Sequence, residues 1–147
     1  MNIIGISFQI PNEYGNILER LLKNELSEDS IWRRGEHEEI LTLSSNSLIT
    51  ADNDLFTNLE IRKYLEPKPY YPIFFTFSVY FKEQLSYPSI KSIRDFLSSN
   101  CDFVVAVIDA CELIILSKEQ KRIDKILNLS NSYKHNYIYE NQEMDLD

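Results

Sequence analysis

Positive charge is scarce in this sequence, and so are glycine and long apolar runs. Lysine and arginine number 15 against 23 aspartates and glutamates, and the net charge of −8 argues against nucleic acid or an anionic membrane as the main partner. The three glycines do not form a phosphate-cradling loop. No apolar run reaches the roughly 18 residues needed to span a bilayer, and residues 1–5 lack the basic leader of a signal peptide. We therefore expect a cytoplasmic protein whose negative charge keeps it soluble.

Length and composition indicate one domain. With 147 residues, of which 44% are hydrophobic, the chain can bury a core without disulfide or metal staples. It contains no internal repeat, linker or low-complexity segment. We therefore expect a single domain over residues 1–147, of which about 140–147 form an acidic tail that frays.

The most apolar part of the chain lies at residues 102–117. It contains two apolar runs, rich in β-branched side chains and separated by four residues, which favours two buried strands over one helix. A turn centred on Ala110-Cys111 would place Val105 opposite Leu116. Because both faces of this pair would be apolar, we expect a central hairpin that is covered on each side.

Apolar patterns and helix-capping signals predict the other elements. We expect strands at 3–10, 73–81 and 137–139, of which 73–81 is aromatic and 137–139 lies at an edge, and short strands near a sheet edge at 31–34, 39–43 and 47–50. We expect one helix at 13–24, capped by Asn12, and another from the capping box Thr57–Glu60 to Pro67. A third helix would start at Pro88 and bury Ile90, Ile93 and Leu97, and a fourth would follow a second capping box at Ser117–Gln120. The aromatic strand would promote aggregation if exposed, so we place it beside the central hairpin. The sequence thus predicts an α+β fold, a mostly antiparallel, aromatic-rich sheet with three to four helices packed on it.

Two segments resemble parts of metal sites, but neither is complete. His37 lies among glutamates, yet a zinc site would need a further ligand from elsewhere in the chain. Asp52-Asn53-Asp54 resembles the start of a calcium loop, but Thr57 and Lys63 occupy the positions of the required glycine and glutamate. We therefore expect neither a metal nor another cofactor.

A small enzyme is the alternative interpretation, with His37, Cys101, Asp109 and Glu112 as its candidate residues. Asp109 and Glu112 flank Cys111 with negative charge, whereas a catalytic cysteine needs an electropositive setting, and no local signature pairs a cysteine with a histidine. Nine strand steps would separate the two cysteines by about 30 Å, so we expect both to be reduced. An enzyme would require these candidates to converge in a cleft.

Aromatic residues indicate a different function. The chain has nine tyrosines and one tryptophan, residues that are favoured at protein interfaces. Several tyrosines lie outside the predicted core stripes: Tyr70, Tyr71, Tyr133, Tyr137 and Tyr139. We expect a non-catalytic protein-binding domain, similar in size and charge to immunity proteins, whose binding surface combines Trp32, Tyr70, Tyr71, Glu36 and Glu39. Its partner would be a basic protein or a second copy of the chain, because acidic groups speed such encounters and aromatic anchors supply affinity.

The opening segment Gly5-Ile6-Ser7-Phe8-Gln9-Ile10-Pro11-Asn12-Glu13-Tyr14-Gly15 resembles a family of small bacterial proteins of unknown function from spore-forming Gram-positive species. The predicted order of elements is similar over most of the chain. This family brings no assigned activity, substrate or catalytic residues, so the resemblance implies none here.

Overall fold

The computed structural model describes residues 2–66, 69–130 and 133–146, which form both strands and helices. The strands are β1 Ile3–Gln9, β2 Ile31–Arg34, β3 Glu39–Leu41, β4 Leu55–Thr57, β5 Tyr71–Tyr80, β6 Phe103–Ile108, β7 Glu112–Ser117 and β8 His135–Tyr139. The helices are α1 Ile17–Leu22, α2 Asn58–Leu65, α3 Ile93–Ser98 and α4 Gln120–Leu129, with one 3-10 turn at Glu25–Ser27.

The described strands form one antiparallel sheet in the order β4-β2-β5-β6-β7-β1-β8, and β3 pairs with the first half of β5. The β6–β7 hairpin occupies the middle. The aromatic strand β5 lies beside β6, with Phe75 opposite Val107 and Phe77 opposite Val105, and these side chains are almost fully buried. The predicted α+β fold with a central hairpin in an antiparallel, aromatic-rich sheet is therefore confirmed.

The central turn differs from the prediction by one residue. Ile108 faces Glu112 and Val105 faces Ile115, so the pairing of Val105 with Leu116 is wrong. Asp109 and Ala110 adopt positive φ angles of 52° and 62°, a left-handed conformation that residues other than glycine seldom adopt. Because both hairpin faces are apolar and no glycine marks the turn, the sequence pattern does not distinguish the two registers.

The sheet separates two hydrophobic cores. One face packs against α1, α2 and α4 and buries, among others, Ile6, Phe8, Trp32, Phe77, Val105 and Ile115. The other face packs against α3 and the chain end and buries, among others, Tyr80, Val104, Ala106, Ile114, Phe96 and Leu146. Both faces of the central hairpin are thus covered, as their apolar character requires.

Helix α1 begins later than the sequence predicts. It starts at Ile17 instead of residue 13, and Asn12 does not cap it. The Asn12 side chain instead accepts a hydrogen bond from the Tyr71 hydroxyl, and the backbones of Gly15 and Tyr70 pair with each other. Residues 12–14 form a bend, and the bridge from Gly15 to Tyr70 holds Gly15 outside the helix, which therefore begins after Asn16.

The starts of the later helices agree with the predictions only in part. The capping box of α2 forms between Thr57 and Glu60 as predicted, but Pro67 lies outside the described residues. Helix α3 begins at Ile93, capped by Ser92, instead of at Pro88, and it buries Phe96 while Leu97 is exposed. The second predicted box does not form, because the Ser117 hydroxyl accepts from the Glu119 backbone and α4 has no side-chain cap.

The short strands and the chain end differ from the predictions in two places. Residues 47–50 form only an isolated bridge with β3, whereas β4 was not predicted, because three residues are too few for a clear alternation. Residues 140–146 do not fray, since the Leu146 side chain is buried and its backbone N–H donates to the Lys91 carbonyl at 2.8 Å. The Thr76 hydroxyl also bonds to the Leu146 carbonyl, which holds this segment across the sheet.

Candidate functional site

The interaction surface predicted from Trp32 and Tyr70 is wrong for both residues, because they are buried. Trp32 is only 1% exposed and packs edge-on against the Phe77 and Phe103 rings, while its indole N–H donates to the Ser30 hydroxyl at 2.9 Å. Tyr70 has no exposed surface. Neither side chain can anchor a partner without unfolding.

Tyr70 is buried because helix α1 supplies partners for its hydroxyl. The hydroxyl donates to Glu19 Oε2 at 2.9 Å and accepts from the Leu18 backbone N–H at 3.1 Å. Burial raises the pKa of Glu19 to about 7, against the opposing effect of the hydrogen bond from Tyr70. This pair stabilises the contact between α1 and the start of β5 and offers no open binding site.

The other three predicted surface residues, Tyr71, Glu36 and Glu39, are at least partly exposed, but each has different neighbours. The half-buried Tyr71 ring lies 5.3 Å from the Tyr14 ring, and Glu39 is exposed on β3. The Glu36 carboxylate lies 2.6 Å from the Lys91 ammonium group, whose hydrogen bond and charge lower the pKa of Glu36. A role for Tyr71, Glu36 and Glu39 in partner binding stays a prediction.

The four enzyme candidates do not line one cleft. His37 and Asp109 line a mostly apolar cleft of about 340 Å³, whose lining residues include neither Cys101 nor Glu112. Cys101 is buried, and desolvation raises the pKa of its thiol to about 11. A thiol with so high a pKa is a poor nucleophile at neutral pH.

A second cysteine and a second histidine share a groove without contacting each other. Cys111, Glu112 and His135 line a groove of about 660 Å³. Cys111 lies beside Ile10 and His135 beside Phe8, two strand spacings and two residues apart, so their Cα atoms are separated by about 12 Å. Among the described residues no hydrogen bond joins the thiol to the imidazole, so the nucleophile–base pair that catalysis requires is not formed.

Strand β8 forms one edge of the sheet, and its register shows which backbone groups point outward. The Gln9 N–H donates to the Lys134 carbonyl at 3.0 Å, and the Glu140 N–H donates to the Asn2 carbonyl at 3.1 Å. Hydrogen-bonded residues alternate along an antiparallel pair. Even-numbered residues of β8 therefore bond to β1, whereas His135, Tyr137 and Tyr139 direct their backbone groups away from the sheet.

The outward groups of Tyr139 are satisfied locally. Its N–H donates to Gln142 Oε1 at 2.6 Å, and its carbonyl accepts from the Gln142 N–H at 3.1 Å. The outward groups of His135 and Tyr137 have no such partner in the described ranges 2–66, 69–130 and 133–146. An open stretch of two residues, with one N–H and one carbonyl each, thus remains on this edge.

Exposed aromatic side chains accompany this open edge. His135, Tyr137 and Tyr139 lie on one face of β8, with the His135 and Tyr137 rings 5.7 Å apart and both tyrosines more than a third exposed. Edge strands are usually protected by lysine, proline or a bulge of their own. Residues 135–139 contain no proline, lysine, aspartate or glutamate, so β8 is open to pairing with a further strand. We call its outer side, residues 135–139, the β8 edge.

At the opposite edge of the sheet, side chains satisfy half of the outward backbone groups of β4. By the same alternation, Leu55 and Thr57 of β4 point outward. The Leu55 carbonyl accepts from the Asn53 amide at 2.7 Å, and the Thr57 N–H donates to Glu60 Oε1 at 3.1 Å. The β8 edge is therefore the better candidate site for binding another chain.

Comparison with known proteins agrees with the resemblance of the opening segment. The family model described as "Protein of unknown function (DUF2691)" matches residues 3–146. The chain belongs to the DUF2691 family. A relative of this DUF2691 chain, "Uncharacterized protein YncE" of Bacillus subtilis (strain 168), is 27% identical over 139 residues, which cover 90% of this chain and 86% of that protein. No solved structure matches. The predicted family of uncharacterised bacterial proteins is thereby confirmed, and no function is assigned to it.

Two features are absent from the described residues of the DUF2691 chain. None of their helices combines the length and the hydropathy of a membrane-crossing segment. In the same residues, no three histidines, cysteines, aspartates or glutamates are grouped so that they could hold a metal ion.

Proposed function

We propose that this DUF2691 protein is a non-catalytic protein-binding domain that accepts an extended segment of its partner at the β8 edge. The proposal is carried by one observation: the outward N–H and carbonyl groups of His135 and Tyr137 have no hydrogen-bond partner among the residues that the structure describes. A strand added there would form backbone hydrogen bonds with both residues, the mode of recognition called β-augmentation.

The side chains beside this edge would add affinity. The exposed Tyr137 and Tyr139 rings supply apolar area with a polar end, which suits an interface that is exposed to water before binding. The net charge of −8 would speed the approach of a basic partner, although charge steering changes the association rate more than the affinity.

We also propose that the protein acts in the cytoplasm. Both Cys101 and Cys111 are unpaired, and Cys111 is exposed, as is expected for a chain that stays in a reducing compartment.

A proline in β8 tests the proposed function. Tyr137→Pro removes an N–H that points outward and leaves the inward N–H groups of Asn136 and Ile138 bonded to β1. We expect capture of a partner from cell lysate to be lost with this variant, while the wild-type protein retains it. Hydrogen exchange at the His135 and Tyr137 amides should slow in the captured complex.

The matched control is Leu55→Pro, which removes an outward N–H from the opposite edge strand β4. Circular dichroism should show that both variants are folded, and Leu55→Pro should capture the partner as the wild type does. Capture that survives Tyr137→Pro, or amides at 135 and 137 that exchange equally fast in the complex, would refute binding at the β8 edge.

A further inference from the structure

The β8 edge is complementary to itself. In a two-fold antiparallel pairing of two copies, residues with outward backbone groups must face one another. A two-fold axis at Asn136 places His135 opposite the partner's Tyr137, and Tyr137 opposite the partner's His135. Four backbone hydrogen bonds then satisfy the outward groups of β8 that have no partner in the described residues, and Tyr139 keeps its bonds to Gln142. A two-fold axis at Tyr137 would instead place His135 opposite the partner's Tyr139, whose N–H would then have to give up its hydrogen bond to Gln142.

The same register brings compatible side chains together. His135 and Tyr137 would lie directly opposite each other in both halves, which groups four rings on one face of the joined sheet. Lys134 would lie diagonally across from the partner's Glu140, at a separation that long side chains can bridge. No charged residue of this register faces a charge of the same sign.

We propose that the strand added at the β8 edge is β8 of a second copy of this chain, which makes the protein a two-fold homodimer with Asn136 on the axis. This inference rests on the proposed function, because it uses the same edge and names its occupant. Each copy carries a net charge of −8, so the two copies repel each other at long range. Salt screens this repulsion and strengthens the dimer, whereas salt weakens the binding of a basic partner.

Sedimentation of the full chain over a dilution series, at low and high salt, tests this dimer. The wild type should reach a mass near twice 17.3 kDa and dissociate less readily at high salt. Tyr137→Pro removes one hydrogen bond from each half of the pairing and should raise the dissociation constant at least about tenfold. Leu55→Pro should dimerise like the wild type.

Disulfide trapping tests the register. In a Cys111→Ser background, Asn136→Cys places two thiols on the axis, where facing Cα atoms lie about 4.5 Å apart, within disulfide reach. An added copper(II) oxidant should therefore link two Asn136→Cys chains rapidly. The control Lys134→Cys places its thiols four strand steps out of register, about 13 Å apart, and should remain reduced.

The results separate this inference from the proposed function. A wild type that stays monomeric up to millimolar concentration refutes the homodimer but leaves capture of another protein at the β8 edge to be judged by its own test. A dimer that is insensitive to Tyr137→Pro, or trapped through Lys134→Cys and not through Asn136→Cys, also refutes pairing about Asn136. Loss of both dimer and capture in Tyr137→Pro supports the shared edge.

Discussion

Replacing Arg122 with methionine should destabilise the fold by about 3–5 kcal/mol. Arg122 of α4 is buried, with Nη1 3.4 Å from Glu25 Oε1 and 2.9 Å from Glu28 Oε2. Its guanidinium group also lies 4.4 Å from the centre of the Phe81 ring. Methionine retains the apolar packing but leaves Glu25, whose side chain is 2% exposed, without its cation.

Glu25 should account for most of this loss. The Glu28 carboxylate is about half exposed, so water can solvate its charge when the arginine is removed. Burial already raises the pKa of Glu25, and Arg122 acts against that rise. Without Arg122 the folded-state pKa rises further above that of the unfolded chain. The loss should therefore be larger at pH 8 than at pH 5, because stability falls as pH rises through a raised folded-state pKa.

Urea unfolding at both pH values, with a double-mutant cycle, measures this effect. Glu25→Gln in the Arg122→Met background should recover at least about 1 kcal/mol, because it removes the buried charge. Glu28→Gln in the same background is the control and should recover little. A cost of Arg122→Met below about 1 kcal/mol at pH 8, or a further loss on adding Glu25→Gln, would contradict the reasoning.

Two further predictions concern stability. Gly5→Ala should lower the free energy of unfolding in urea by more than about 3 kcal/mol, because the added Cβ would lie 2.3 Å from the Ile115 carbonyl oxygen. In the control Gly15→Ala, no described atom lies within 4 Å of the added Cβ, so stability should change by less than about 1 kcal/mol. The wild type should gain stability from pH 8 to pH 5, because the pKa of Glu19 is about 7 in the fold against its usual 4.5. Glu19→Gln should reduce this gain by about 1–2 kcal/mol, which is less than the full pKa shift of Glu19 implies, since the side chain is partly exposed. If stability depended on pH in the same way in the variant as in the wild type, Glu19 would not be the group responsible.

The architecture could be predicted from the sequence, because apolar patterns report which segments are buried. The patterns of β5, β6 and β7 identify the three central strands without any tertiary information. They do not identify the hairpin register, since a one-residue slip exchanges one apolar face for another. The left-handed conformations of Asp109 and Ala110 determine that register, and no glycine announces them.

Two of the predicted binding residues, Trp32 and Tyr70, are buried for a physical reason that their neighbours in the sequence do not reveal. Trp32 is followed by two arginines, and Tyr70 lies among prolines, so both look amphipathic in the sequence. Their polar groups are satisfied internally, by Ser30 for Trp32 and by Glu19 for Tyr70, which allows both rings to be buried. Which tyrosines remain exposed depends on these distant hydrogen-bond partners, and local composition carries no information about them.

The β8 edge was only partly predictable. Its aromatic residues and its edge position follow from the sequence pattern of residues 137–139, and both are present in the fold. The direction of each N–H group does not follow from that pattern, because it depends on the pairing of β8 with β1, including the irregularity between Ile3 and Gly5. The open backbone groups could therefore be assigned only once this register was known.

The difference between the two sheet edges determines what strand pairing can build. If both edges were open, added copies could continue from edge to edge and form a filament. The β4 edge is occupied by the Asn53 side chain and by the Thr57–Glu60 capping box, while Gln142 closes the end of β8. Within the described part of the chain, His135 and Tyr137 are the residues of β8 that remain open, and a two-fold pairing uses the outward groups of both copies completely. Association at this edge should therefore stop at two copies, although β8 itself is an unprotected, aromatic edge strand.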